Sequence, residues 1–97
     1  MFTWLNKQGV QSDRGFIVQS MDRFTIEYRE GARKISVEVE RGMLGDKPCV
    51  SILPSAFDRW DDDPEWKTIP PEEQDKMLAN FTEAIEFQGL AVVVEPA

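Results

Sequence analysis

The chain has no histidine and a single cysteine, Cys49, among its 97 residues. Without imidazole there is no thiol–histidine or serine–histidine catalytic pair, and the usual donors of a structural zinc site are missing. One cysteine cannot build an internal disulfide framework, and in a strand-like setting it reads as a small apolar group rather than a reactive thiol. No stretch approaches the length of apolar residues that spans a membrane. The start, MFTWLNKQG, lacks the basic flank and long apolar run of a signal peptide, so a cytoplasmic protein is expected. No Gly-rich phosphate loop is present, because Gly42 and Gly45 are not followed by Lys-Ser/Thr. Internal repeats, low-complexity tracts and linkers are also lacking, and the length suits one domain covering residues 1–97.

What is abundant is negative charge, placed unevenly. The net charge is −7. Residues 1–34 hold six Lys/Arg against four Asp/Glu, whereas 35–97 hold five against fourteen. Within the second half, residues 58–75 carry eight acids (Asp58, Asp61, Asp62, Asp63, Glu65, Glu72, Glu73, Asp75) opposed only by Arg59 and Lys67. Such a field repels phosphate backbones and attracts a basic surface, favouring a cationic protein partner over direct nucleic-acid binding.

The clearest structural signal is FTIEYREGARKISVEV, residues 24–39, in which Phe24, Ile26 and Tyr28 and then Ile35, Val37 and Val39 alternate with polar residues. A two-residue Gly31-Ala32 loop of type II′ pairs Tyr28 with Ile35, Ile26 with Val37 and Phe24 with Val39 on one apolar face. The other face would carry Glu27, Arg29, Lys34, Glu38 and Glu40, the mixed charges usual on an exposed sheet surface or a second docking face. Residues 15–19 predict a preceding strand joined by a short turn, and Phe2 and Trp4 hint at a first one. Residues 41–48, with two glycines and a proline, predict a loop, and 49–53 a further strand. Residues 55–60 could form one helical turn. The spacing of Met77, Leu78, Phe81, Ala84 and Ile85 predicts a helix over 71–88, with Lys76, Asn80 and Glu83 facing away. Pro71 suits its first position and Gly89 its C-terminal cap. Residues 90–94 predict an apolar strand buried on both faces or central in its sheet. The expected fold is α+β, an antiparallel sheet of five to six strands in the order ββββ(β)αβ covered by one long helix in the C-terminal half. Phe81→Ala in that core should cost about 3–5 kcal/mol.

Candidate chemistry concentrates in the acidic tract. Asp61, Asp63, Glu65 and Glu72 stand at offsets 1, 3, 5 and 12 of a calcium loop, but Trp66 replaces the turn-making glycine and Pro64, Pro70 and Pro71 stiffen the segment. Scattered carboxylates carry no glycosidase signal. No metal or cofactor is expected, and no enzymatic activity. The tract reads better as a protein-binding surface made of Asp58, Trp60, Asp61, Asp62, Asp63, Glu65 and Trp66, combining aromatic anchors with steering charges. The competing reading has both tryptophans folded back to cap the core while the acids are solvated. Phe87, off the helix stripe, either packs under the last strand or meets a partner.

Across the chain, Gly15-Phe16 opening a strand, Glu27-Tyr28 in a charged hairpin, Trp60 before the acidic tract, and Asn80-Phe81 with Ala84 and Phe87-Gln88-Gly89 closing the helix resemble small cytoplasmic immunity proteins of bacterial contact-dependent growth inhibition and related polymorphic toxin systems. The resemblance implies an inhibitor of a cognate C-terminal toxin domain, commonly a nuclease. Nuclease domains are often basic, which the acidic tract would complement. A second reading is a phage or mobile-element accessory protein or a self-associating structural domain; the sequence leaves monomer or dimer open.

Overall fold

The computed structural model describes residues 1–96. It is α+β, with the strands divided between two sheets. In the first sheet, β1 (Phe2–Asn6), β2 (Gly9–Ser12), β3 (Phe16–Ser20), β4 (Thr25–Glu30) and β5 (Arg33–Glu38) form an antiparallel meander in chain order. The second contains β6 (Glu40–Leu44), β7 (Lys47–Ile52) and β8 (Ala91–Val94), with α1 (Pro71–Phe87) lying between β7 and β8 in the chain. The expected helix and its C-terminal Gly89, at φ 88°, are present. Among the described residues no helix is long and apolar enough to cross a membrane.

The central hairpin has the register that parity dictates, with Ile26 opposite Val37 and Tyr28 opposite Ile35. Only Gly31 of its loop has positive φ, 59°, the pattern of a type II′ turn. Because side chains alternate across the sheet, one row runs Val10, Val18, Tyr28, Ile35 over four strands, and all four are buried. Phe57, Met77, Phe81, Ala84 and Ile85 close over this face in one core shared with Val50 and Ile52 of the second sheet. Ring contacts connect Tyr28 to Phe57 at 5.6 Å and Phe57 to Phe81 at 5.5 Å.

Five differences from expectation have physical causes. First, β1 and β2 pair as a hairpin whose register slips between Trp4 and Asn6, a bulge that erases the two-residue period. Second, residues 41–48 are not a loop: β6 and β7 pair around Gly45-Asp46, with Gly45 at φ 65°. Pro48 is tolerated in β7 because pairing with β8 begins only at Cys49. Glu40 therefore lies in the second sheet and not on the polar face of the central hairpin. Third, β8 is an edge strand, parallel to β7 and half-buried, because α1 covers it on one side only. Fourth, Phe24 pairs through its carbonyl with the Val39 amide, yet its side chain is 64% exposed. It lies before the first residue of β4, where the ladder gives way to the turn from β3, and the Arg23 guanidinium lies over its ring at 5.9 Å. Fifth, residues 55–60 form turns without a helix, and Asn80 faces inward, its amide donating to the Tyr28 hydroxyl at 3.0 Å.

Cys49 is buried, 6% exposed, on β7 between Gly42 of β6 and Ala91 of β8. Phe87 packs on β1 instead of the last strand, with its ring 5.2 Å from Phe2 and 5.6 Å from Trp4.

Candidate partner-binding groove

The acidic tract is tied down at its neck and middle. At the neck, the Ile69 amide donates to the Asp58 carbonyl at 2.8 Å, while Asp58 itself is half-buried. Ile69 beside it is buried in the core. Midway, Asp61 docks on the free edge of β5: its amide donates to the Lys34 carbonyl at 2.9 Å, and its carboxylate accepts from the Ser36 amide at 2.9 Å and the Ser36 hydroxyl at 2.7 Å. An edge strand left open is a template for unwanted pairing, and Asp61 occupies the middle of this one. Asp63 then organises the bend, accepting from the Glu65 amide at 2.9 Å and the Lys67 amide at 3.3 Å.

These bonds separate the expected site residues into two sets. Trp60, Asp62, Asp63 and Glu65 come together in the walls of a groove of about 620 Å³. Asp58, Asp61 and Trp66 do not line it. Trp60 is half-buried against the core, with the Arg33 guanidinium over its ring at 5.6 Å, so it is both a core cap and a groove wall. Trp66 lies outside, 70% exposed at φ 56°, with the Arg59 guanidinium 5.8 Å from its ring. That left-handed conformation is costly for a side chain of this size.

Two groove residues escaped the sequence reading. Arg33 comes from the tip of the central hairpin and Glu73 from the first turn of α1. Arg33 lies more than twenty positions from the tract, and no local pattern signals its approach; Glu73 was legible only as a favourable charge at the helix start. Both cations of the lining have partners, since Arg33 stacks on Trp60 and the Lys67 ammonium pairs with Glu65 at 2.6 Å. Asp62 makes no hydrogen bond or ion pair among the described residues and is exposed at the rim.

The carboxylates do not converge as a metal cage, because Asp61 turns to Ser36 while Asp63 turns to the amides of its own bend. Among the described residues no group of three or more His, Cys, Asp or Glu side chains is placed to hold a metal. The buried hydroxyl of Tyr28 lies nearby under the sheet and donates to Glu30 at 2.9 Å. Burial pushes its pKa well above the ordinary tyrosine value, so it stays a neutral hydrogen-bonding group.

No family model, curated protein or solved structure matches this chain.

Proposed function

We propose that this chain is a cytoplasmic immunity protein that binds and neutralises the C-terminal toxin domain of a cognate growth-inhibition toxin, a basic nuclease domain. The observation that carries the reading is the groove at residues 60–73, in which the Trp60 wall is surrounded by Asp62, Asp63, Glu65 and Glu73. Fixed aromatic surface supplies contact area at little entropic cost, and a rim of carboxylates steers and orients a cationic partner. The chain acts by occupation alone, without a cofactor and without catalysis of its own. A toxin surface bearing Lys and Arg would set those side chains against the groove rim, and exposed Trp66 would extend the contact beyond it.

The test is growth of cells expressing the C-terminal region of whatever large gene lies immediately upstream, with and without this chain. Rescue by this chain supports the reading; toxicity that it does not relieve overturns it. With the partner in hand, Asp62→Lys with Glu65→Lys should slow association about tenfold at low salt, measured by stopped-flow or surface binding, while thermal stability stays unchanged. Equal on-rates would move the interface off this groove.

A further inference from the structure

A second groove, at the other end of α1, is lined by three cations. The first groove includes Pro70 and Glu73 at the start of the helix; the second, of about 510 Å³, includes Gln88 and Leu90 just past its end. Seventeen residues of helix separate the two ends by about 25 Å. Lys7, Arg23 and Arg41 line the second groove with Trp4 and Met21, and Asp22 is its one acid.

Arg41 is held there by bonds from its guanidinium to the Arg23 carbonyl at 3.1 Å and the Ser20 hydroxyl at 3.4 Å. Asp22 is engaged, accepting from the Phe24 amide at 2.8 Å. Lys7 and Arg23 have no ion-pair partner among the described residues. Nor are they needed to cap the helix. Its last carbonyls already accept protein donors: Ala84 from the Gln88 side chain, Ile85 from the Gln88 and Leu90 amides, and Glu86 from the Gly89 amide. In a chain of net charge −7, two cations without a carboxylate partner, Lys7 and an Arg23 whose guanidinium lies over the Phe24 ring, make with exposed Trp4 and Met21 a receptor for an acidic, aromatic segment.

We infer that this cationic groove receives the acidic loop of a second copy of this chain. That loop offers Asp62 and Glu65 for Lys7 and Arg23, and exposed Trp66 for Trp4 and Met21. Because the two complementary features lie at opposite ends of α1, two copies with antiparallel helices make the contact twice, and the pair closes about a two-fold axis. The inference stands apart from toxin binding, since it concerns this chain alone. If both hold, the dimer and the toxin complex compete for the same loop.

The experiment is solution mass by light scattering and sedimentation over a range of protein and salt concentrations, on the full chain and two charge-reversed variants. The wild type should approach twice the 11.1 kDa monomer mass. Its dissociation constant should weaken at least about tenfold between about 0.05 M and 0.5 M salt. Lys7→Glu with Arg23→Glu, and separately Asp62→Lys with Glu65→Lys, should each be monomeric. An equimolar mixture of the two variants should dimerise again, because each altered feature then meets an altered complement. A wild type that stays monomeric throughout, a dimer indifferent to both reversals, or a mixture that fails to reassociate would overturn the inference. So would a monomer that retains a single-stranded oligonucleotide through Lys7 and Arg23, since the groove's occupant would then be a phosphate backbone. Because no toxin enters the assay, none of these outcomes decides the proposed function.

Discussion

Tyr28 shows how one residue joins packing to polarity. Its ring occupies the middle of the buried row, and its hydroxyl is satisfied on both sides, donating to Glu30 and accepting from Asn80. Tyr28→Phe removes both bonds and leaves the Asn80 amide short of a partner, so unfolding should become easier by about 1–2 kcal/mol in a denaturant titration. The pH dependence has a defined sign. The folded-state pKa is raised above the ordinary 10.0, chiefly by burial. The corresponding stability is therefore complete below about pH 10 and is lost as the pH climbs above it, where the unfolded chain ionises first. The stability difference between wild type and Tyr28→Phe should narrow above pH 10, and a constant difference would rule out this linkage. Trp66 poses the converse case, a large side chain exposed in a left-handed conformation. Relief of that conformation is offset in part by the added freedom of an unfolded glycine. Trp66→Gly should accordingly leave stability unchanged or raise it by no more than about 1 kcal/mol. If Trp66 serves binding, affinity for the partner falls in the same variant, measured by calorimetry.

At the scale of elements, legibility followed regularity. The central hairpin was readable pair by pair at Ile26–Val37 and Tyr28–Ile35, because apolar residues alternate on both arms and Gly31 supplies the turn, but not at its open end, where Phe24 is exposed. The helix was readable because its stripe, Pro71 and Gly89 agree. The β6–β7 hairpin was missed although Gly45-Asp46 is a two-residue turn of the same kind, since Pro48 and Gly42 look like breakers until it is known that β8 does not reach Pro48. The small, largely exposed side of β6, with Met43 63% exposed, carries no buried face from which a period could be read. The loop joining β7 to α1 was legible in composition only. Its attachment to β5 depends on Asp61 meeting Ser36, a contact across 25 positions. Asp61→Ala should cost about 1 kcal/mol and speed hydrogen exchange at the Ser36 amide, while leaving exchange at the buried row unchanged. Uniform acceleration across both sheets would instead mean that Asp61 holds the whole fold and not one edge.

Across the whole molecule, the division of charge visible in the sequence became only in part a division in space. Acids of the second half gather at the start of α1 around Arg33 of the first, whereas Lys7 and Arg23 meet Arg41 of the second half beyond its end. The candidate site was half legible: Trp60, Asp62, Asp63 and Glu65 came from a single tract, whereas Arg33 and Glu73 reached it only through the fold. Asp58 and Asp61 look equivalent to Asp62 in the sequence but differ in surroundings, because backbone and side-chain bonds engage the first two segments and leave Asp62 at the rim. The two charge-reversed variants separate the scales cleanly: both should keep the monomer's thermal stability, since exposed ion pairs contribute little to folding.

The placement of Cys49 also gives the molecule an internal clock. The sole thiol is enclosed between the two outer strands of the smaller sheet, so a soluble disulfide reagent can reach it only when that sheet opens. Its labelling rate under native conditions therefore counts openings of β6–β7–β8 without reporting on the five-stranded meander. Compared with the rate of global unfolding, that count measures whether the two sheets come apart together or the smaller one detaches first.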